Sequence, residues 1–196
     1  MRKQQQFGNS CGAAALLCAA MELGIRHLPR LGGINLGQPL QANGQCESAL
    51  YALTSGALTG GYSRPLDFDK LGYSMPHNVA IAARELGLAV QIYSSGPLAR
   101  LLAYGYPSAE AQCIKAGFPI LRAAPPALAA HQRALKVMMT FVVGLHYVMR
   151  RPDGTYMDPG DGRDFASFEA LNSWSKTYNH SGITLVLENP PTAAAA

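Results

Sequence analysis

"QQQFGNSCGAAALL", residues 4–17, joins a run of three glutamines to a cysteine at the point where a helix should begin. Asn9 and Ser10 are residue types that cap helices by accepting from the first free N–H groups. From 11 to 23 the chain is rich in Ala and Leu before Gly24 stops it. This predicts one buried helix with Cys11 in its first turn. A thiol there faces unpaired N–H groups and the positive end of the helix dipole, both of which favour thiolate over thiol. Cys11 is therefore a candidate nucleophile, weighed against the plain reading of a small buried residue. Gln5, six positions earlier and flanked by Gln4 and Gln6, is a candidate oxyanion donor, its side-chain amide acting beside the Cys11 N–H.

A nucleophilic thiol needs a base, and a Cys-His pair meets in space rather than along the chain. Of five histidines, His146 has the best setting, "GLHYVMRRPDGTYMDP", in which Arg151-Pro152-Asp153-Gly154 makes a tight turn between two strands. A hairpin centred on that turn pairs residues whose numbers sum to about 304 to 306, so Asp158 is expected across from His146 or Tyr147. Asp158 would then hold one ring nitrogen and leave the other for the thiol. His27, His77, His131 and His180 lack such a partner and read as surface or capping residues.

The rest of the chain predicts a host for these residues. A helix is expected over 45–54 after a glycine-rich loop, irregular chain over 56–75, and a helix after Pro76 that ends at Gly87 and leads to a strand over 88–93. Two helical pieces broken near Pro107 span 97–116, followed by a short strand in "GFPILRA" and a linker over 124–134. A long strand over 137–150, bent or interrupted at Gly144, a second over 155–158, a helix over 165–174 and a last strand over 182–188 complete the pattern. A helix-rich first half and a strand-rich second half indicate α+β, with one domain over 1–189 and a flexible tail over 190–196.

Bulk properties narrow the function. Hydrophobic residues make up 48% and charged residues 14%, which suits a packed globule. The net charge of +4 is scattered, without the basic run or aromatic interleaving of a nucleic-acid binder. No apolar run reaches the ~18 residues of a membrane helix, and no signal peptide opens the chain. The expected location is the cytoplasm, or a target cell reached by a signal-peptide-independent route. Cys11, Cys18, Cys46 and Cys113 have neither zinc-site nor disulfide-framework spacing, so no metal and no cofactor is expected.

The order Gln5, then Cys11 in "NSCGAAAL", then His146 ahead of an apolar strand, then Asp158 in "DP" resembles the papain-like cysteine peptidases. It is most similar to the bacterial double-glycine leader peptidases of bacteriocin exporters and their stand-alone relatives, including bacterial effectors. "AGFPILRA" fits the strand that precedes the histidine strand in that group. The resemblance implies a papain-like fold, with the nucleophile helix packed on an antiparallel sheet that carries His and Asp. It also implies Cys11 as nucleophile, His146 as general base, Asp158 as orienting residue and Gln5 as oxyanion donor. The substrate implied is a protein or peptide, with an inhibitor or immunity protein as a further partner. The short His-to-Asp interval, with no transporter following, favours a stand-alone peptidase or delivered effector over export-coupled processing. The same triad serves a glutamine deamidase or a transglutaminase-like acyltransferase, and an idle papain-like shell serves as a binding module; residues alone do not separate these from a peptidase.

Overall fold

Ten successive residues of helix α1 (Cys11–Glu22), from Cys11 to Ala20, are buried, as suits a helix apolar on every side. In the computed structural model, which describes residues 1–28, 37–58, 65–96, 99, 106–140, 144–173 and 177–190, this helix lies in the centre of the main core. Its small side chains allow neighbours to approach from all directions. Gly12 is the extreme case: a Cβ there would stand 2.5 Å from Ser74 Cβ and 3.3 Å from the Tyr147 ring. Gly12→Ala is accordingly expected to cost about 1–3 kcal/mol through overpacking, seen as a lower urea midpoint with an unchanged slope. Helix α1 ends where Gly24, at φ 86°, lets Ile25 N–H donate to Ala20 O at 2.9 Å.

Two further helices join it. Helix α2 (Gly44–Thr54) starts at Asn43, whose side chain accepts from Cys46 N–H at 2.9 Å, and α3 (Pro76–Glu85) starts on a proline whose missing N–H costs nothing there. Both appear where the sequence places them. Of the two helical pieces expected over 97–116, the second is α4 (Ala109–Lys115). The first falls largely on residues outside the described set, as does the expected tail beyond 190.

Among the described residues a seven-stranded sheet accompanies these helices, so the α+β reading holds. Its strands are β1 (Ala89–Ser94), β2 (Ile120–Leu121), β3 (Gln132–Met139), β4 (Leu145–Arg150), β5 (Tyr156–Asp158), β6 (Arg163–Phe165) and β7 (Asn179–Glu188), in the order β2-β1-β7-β3-β4-β5-β6. Only β1 and β2 are parallel; the region that carries His146 and Asp158 is antiparallel. One face, with Leu135, Val137, Tyr147, Met149 and Leu185, packs on α1 and its neighbours. The other, with Met138, Val148 and Tyr156, packs on Leu171 of α5 (Phe168–Ser173) and on Tyr178.

Several boundaries differ from expectation. The strand expected over 137–150 takes the interrupted form: β3 and β4 are separate antiparallel strands on either side of Gly144, a full reversal in which Thr140 N–H donates to Gly144 O at 2.9 Å. Both arms are apolar because the sheet is covered on both faces, so hydropathy runs across the reversal without a break. Strand β3 also takes in the end of the expected linker, since Gln132 bonds Glu188 at 2.9 Å and Arg133 pairs with Glu22 at 2.6 Å. Strand β7 starts at Asn179 rather than 182, and the short β6 was not anticipated.

Candidate active site

The hairpin turn at 151–154 forms, with pairs Met149↔Met157 and Arg150↔Tyr156 that both sum to 306. Continued one step, this register sets Asp158 level with Val148, so the expected position directly across from His146 or Tyr147 is corrected to a diagonal one. Alternate residues share a face, so His146, two from Val148, still meets Asp158 on the same side of the sheet. His146 Nε2 lies 2.6 Å from Asp158 Oδ1. Helix α1 packs on β4 and brings Cys11 to the ring from the helix end.

The carboxylate of Asp158 is fully buried. Its Oδ1 also accepts from Gly160 N–H at 2.7 Å, and its Oδ2 accepts from Tyr178 O–H at 2.9 Å. Tyr178 also lies flat on His146, with ring centroids 5.2 Å apart and planes at 8°. One tyrosine therefore shields the His-Asp bond from water and fixes the plane of the imidazole. Burial lowers the His146 pKa, but hydrogen bonds to Asp158 and to Cys11, together with their charges, outweigh it and raise it to about 9. With Nε2 committed to Asp158, Nδ1 is the nitrogen left for the thiol.

The other cysteines offer a contrast. Burial pushes the Cys18 thiol up to about 12 and the Cys113 thiol up to about 11. Both are inert core residues at neutral pH, and all four cysteines are free and buried. Among the described residues, no three His, Cys, Asp or Glu side chains gather as metal ligands, and no helix is long and apolar enough to cross a membrane.

Gln5 is tied to the Asp158 loop by its backbone, with Gln5 N–H donating to Pro159 O at 2.7 Å. The approach is close: at Gly162, which closes that loop, a Cβ would stand 2.7 Å from Gln4 N. The Gln5 amide, however, donates within its own segment, to Phe7 O at 2.8 Å and Gly8 O at 2.9 Å, and no hydrogen bond among the described residues joins it to Cys11. Ser10 sits at the N-cap, but its hydroxyl does not cap α1. It turns to Glu47 Oε1 at 2.5 Å.

Glu47 and Tyr178 are the residues the sequence reading did not single out. Glu47 is fully buried, accepts from Gln6 N–H at 2.7 Å and pairs with Lys3, so it holds the segment that carries Gln5 and leads into Cys11. Its signal was available: Glu47, Leu50, Tyr51 and Thr54 follow the i, i+3, i+4, i+7 spacing of a buried helix face, and a carboxylate on such a face calls for a partner. Tyr178 carried no such signal. Two histidines taken as surface or capping residues are corrected. His180 stacks on Phe168 at 3.8 Å, with burial foremost in lowering its pKa to about 4, and His77 is half-buried with its pKa also lowered by burial.

Residues 3–190 match the profile of a family described as "Invasion plasmid antigen J, cysteine protease". The cysteine protease IpaJ of Shigella flexneri is 35% identical over 208 aligned residues, which cover 96% of this chain and 78% of that protein. No solved structure matches.

Proposed function

The chain belongs to the IpaJ family of cysteine proteases, and on that premise we propose that Cys11, His146, Asp158 and Gln5 are its catalytic machinery, arranged in a papain-like manner to cut a protein substrate. Family membership favours a peptidase among the activities that the sequence left open. The observation that supports the residue assignment is His146, which stands between Cys11 and the buried Asp158 and is held protonated up to about pH 9 by both.

Cys11 thiolate attacks the scissile carbonyl carbon, and the C=O electron pair moves onto oxygen. The oxyanion lies at the start of α1, where the first helical N–H groups have no partner within the helix. Cys11 N–H is one donor. Gln5 supplies the second by turning one N–H from the Phe7 and Gly8 carbonyls to the oxyanion. As the oxyanion collapses, His146 gives its proton to the leaving amine and a thioester to Cys11 remains. Water, losing a proton to His146, attacks the thioester; the acid leaves and Cys11 regains the ion pair. Asp158 stays ionised throughout, fixing the ring and stabilising its cation.

The family name, with its reference to invasion, supports an effector role in which the substrate belongs to another cell. The test is mass spectrometry of a target-cell lysate incubated with wild type or with Cys11→Ala. New peptide termini that need Cys11 are expected. Intact chains with Gln converted to Glu would replace the peptidase reading with a deamidase on the same residues.

A further inference from the structure

Strands β3 and β7 part company close to the site. Lys136 pairs with Thr184 and Met138 with His180, so a single residue on β3, Val137, faces three on β7: Ser181, Gly182 and Ile183. The extra chain is pushed out toward the end of β1, where Ser95 N–H donates to Gly182 O at 3.0 Å. Gly182, at φ 86°, admits no side chain there, since a Cβ would lie 1.9 Å from Ser95 O. Beside this bulge is a cavity of about 310 Å³, lined among others by Ser95, Gly96, Pro125, Lys136, His180 and Gly182.

The cavity contains an uncompensated cation. Lys136 is partly buried and has no ion pair or hydrogen bond among the described residues, and the same holds for Arg150, which shares its face of the sheet. Burial and then the charge of Arg150 both lower the Lys136 pKa, and no carboxylate is among the groups acting on it. His180, the other titratable group on the cavity, feels burial, Lys136 and Arg150 more strongly than the single nearby carboxylate, Glu169. A half-buried ammonium at a cavity, with another cation as the only charge acting on it among the described residues, is the chemistry of an anion site.

Register gives the distance to the reaction. His146, Met138 and His180 lie level on three adjacent strands, so His180 is two inter-strand spacings, about 10 Å, from His146. Lys136, level with Val148, is a diagonal neighbour of His146 on the same face, about 8 Å away between Cα atoms. An extended substrate advances roughly 3.3 Å per residue. A side chain about three residues from the scissile bond therefore reaches the cavity.

We propose that the cavity at the β3–β7 bulge is a specificity subsite in which Lys136 binds an Asp or Glu side chain of the substrate protein, within about three residues of the cleaved bond. The inference rests on the peptidase reading above. An acidic side chain, rather than a free anion, is the occupant because the bulge that lines the cavity lies at the sheet end that carries His146, within one short stretch of the bound chain. Lys136 is a specificity residue and takes no part in the chemistry.

A proteome-derived peptide library digested by wild type, Lys136→Met and Lys136→Glu, with Cys11→Ala as blank, tests this. Cys11-dependent cleavage by wild type should show Asp or Glu enriched at one position near the scissile bond. The enrichment should vanish in Lys136→Met, which keeps the packing of the side-chain stem, and give way to Lys or Arg in Lys136→Glu. For a synthetic peptide pair differing by Asp against Asn at that position, kcat/KM should differ about tenfold with wild type and not at all with Lys136→Met. Cleavage with no acidic position, or an acidic preference unchanged in Lys136→Met, would overturn the subsite alone. No Cys11-dependent cleavage of any peptide would overturn the peptidase reading and the subsite together.

Discussion

Asp158→Asn should lower kcat/KM by about two to four orders of magnitude while leaving the fold intact. Asparagine keeps the shape: its carbonyl oxygen at the Oδ1 position still accepts from Gly160 N–H, bonded at 2.7 Å in the wild type, while its NH2 at the Oδ2 position donates to the Tyr178 hydroxyl oxygen, which lies 2.9 Å away. It removes the negative charge that, with Cys11, holds the His146 pKa at about 9 against burial. The amide also permits the wrong ring tautomer, with a proton where the thiol needs an acceptor. Activity of the wild type should fall on the alkaline side near pH 9, as the imidazolium loses its proton, and this limb should move to lower pH in the variant. Stability follows the same group. The folded pKa of His146 lies above its unfolded value of 6.5, so its contribution to folding is complete below about pH 6.5 and is lost as pH rises through about 9. Thermal melts of wild type should show this loss between those limits, and Asp158→Asn should show less of it. Rates of Cys11 alkylation by iodoacetamide across the same range, with Cys18 as the inert reference, report the ion pair directly. An unmoved alkaline limb would remove Asp158 from the role given to it.

Glu47→Ala should destabilise the protein by about 3–5 kcal/mol, the cost of leaving a buried charge network without one partner. The Ser10 hydroxyl at 2.5 Å, the Gln6 N–H at 2.7 Å and Lys3 would all lose their acceptor at a fully buried position. The loss bears on function because these donors flank Gln5 and precede Cys11. A segment released at Gln6 and Ser10 no longer presents the Gln5 amide and the Cys11 N–H at fixed positions, so kcat should fall further than KM rises. Glu47→Gln keeps an acceptor for Ser10 and Gln6 but sets an NH2 donor against the Lys3 ammonium in place of a carboxylate oxygen, and should recover part of both losses. Urea denaturation of the three proteins, with kcat measured at a temperature where each is folded, separates the contributions. Glu47→Ala with wild-type stability would show that the network is inert.

Much of the site was legible in sequence because its signals are local. Cys11 at a helix start depends on an Ala-rich run after Asn9 and Ser10, and the meeting of His146 with Asp158 depends on one tight turn with strands of fixed register. The observed sum of 306 lies at the edge of the expected range and sets Asp158 level with Val148, two positions from His146, which leaves the two side chains diagonal rather than opposite. The capping role expected of Ser10 failed for a nonlocal reason: Glu47, 37 positions away, competes for its hydroxyl. That the chain reverses direction near Gly144 was hidden because a sheet buried on both faces writes no alternation into its strands.

By itself the sequence determined the central buried helix, the cysteine at the helix start and the His-Asp hairpin, since each follows from periodicity, capping chemistry or turn geometry within a short stretch, and the α+β class, which follows from the order of such local signals along the chain. Only the tertiary structure decided that Tyr178 would cover the His146–Asp158 bond, that Glu47 would hold the glutamine segment, and that a bulge opposite Val137 would open a cavity beside Lys136. Those pairings join residues far apart in the chain. Their free energy comes from burying and satisfying polar groups together, a term that no single stretch of sequence contains.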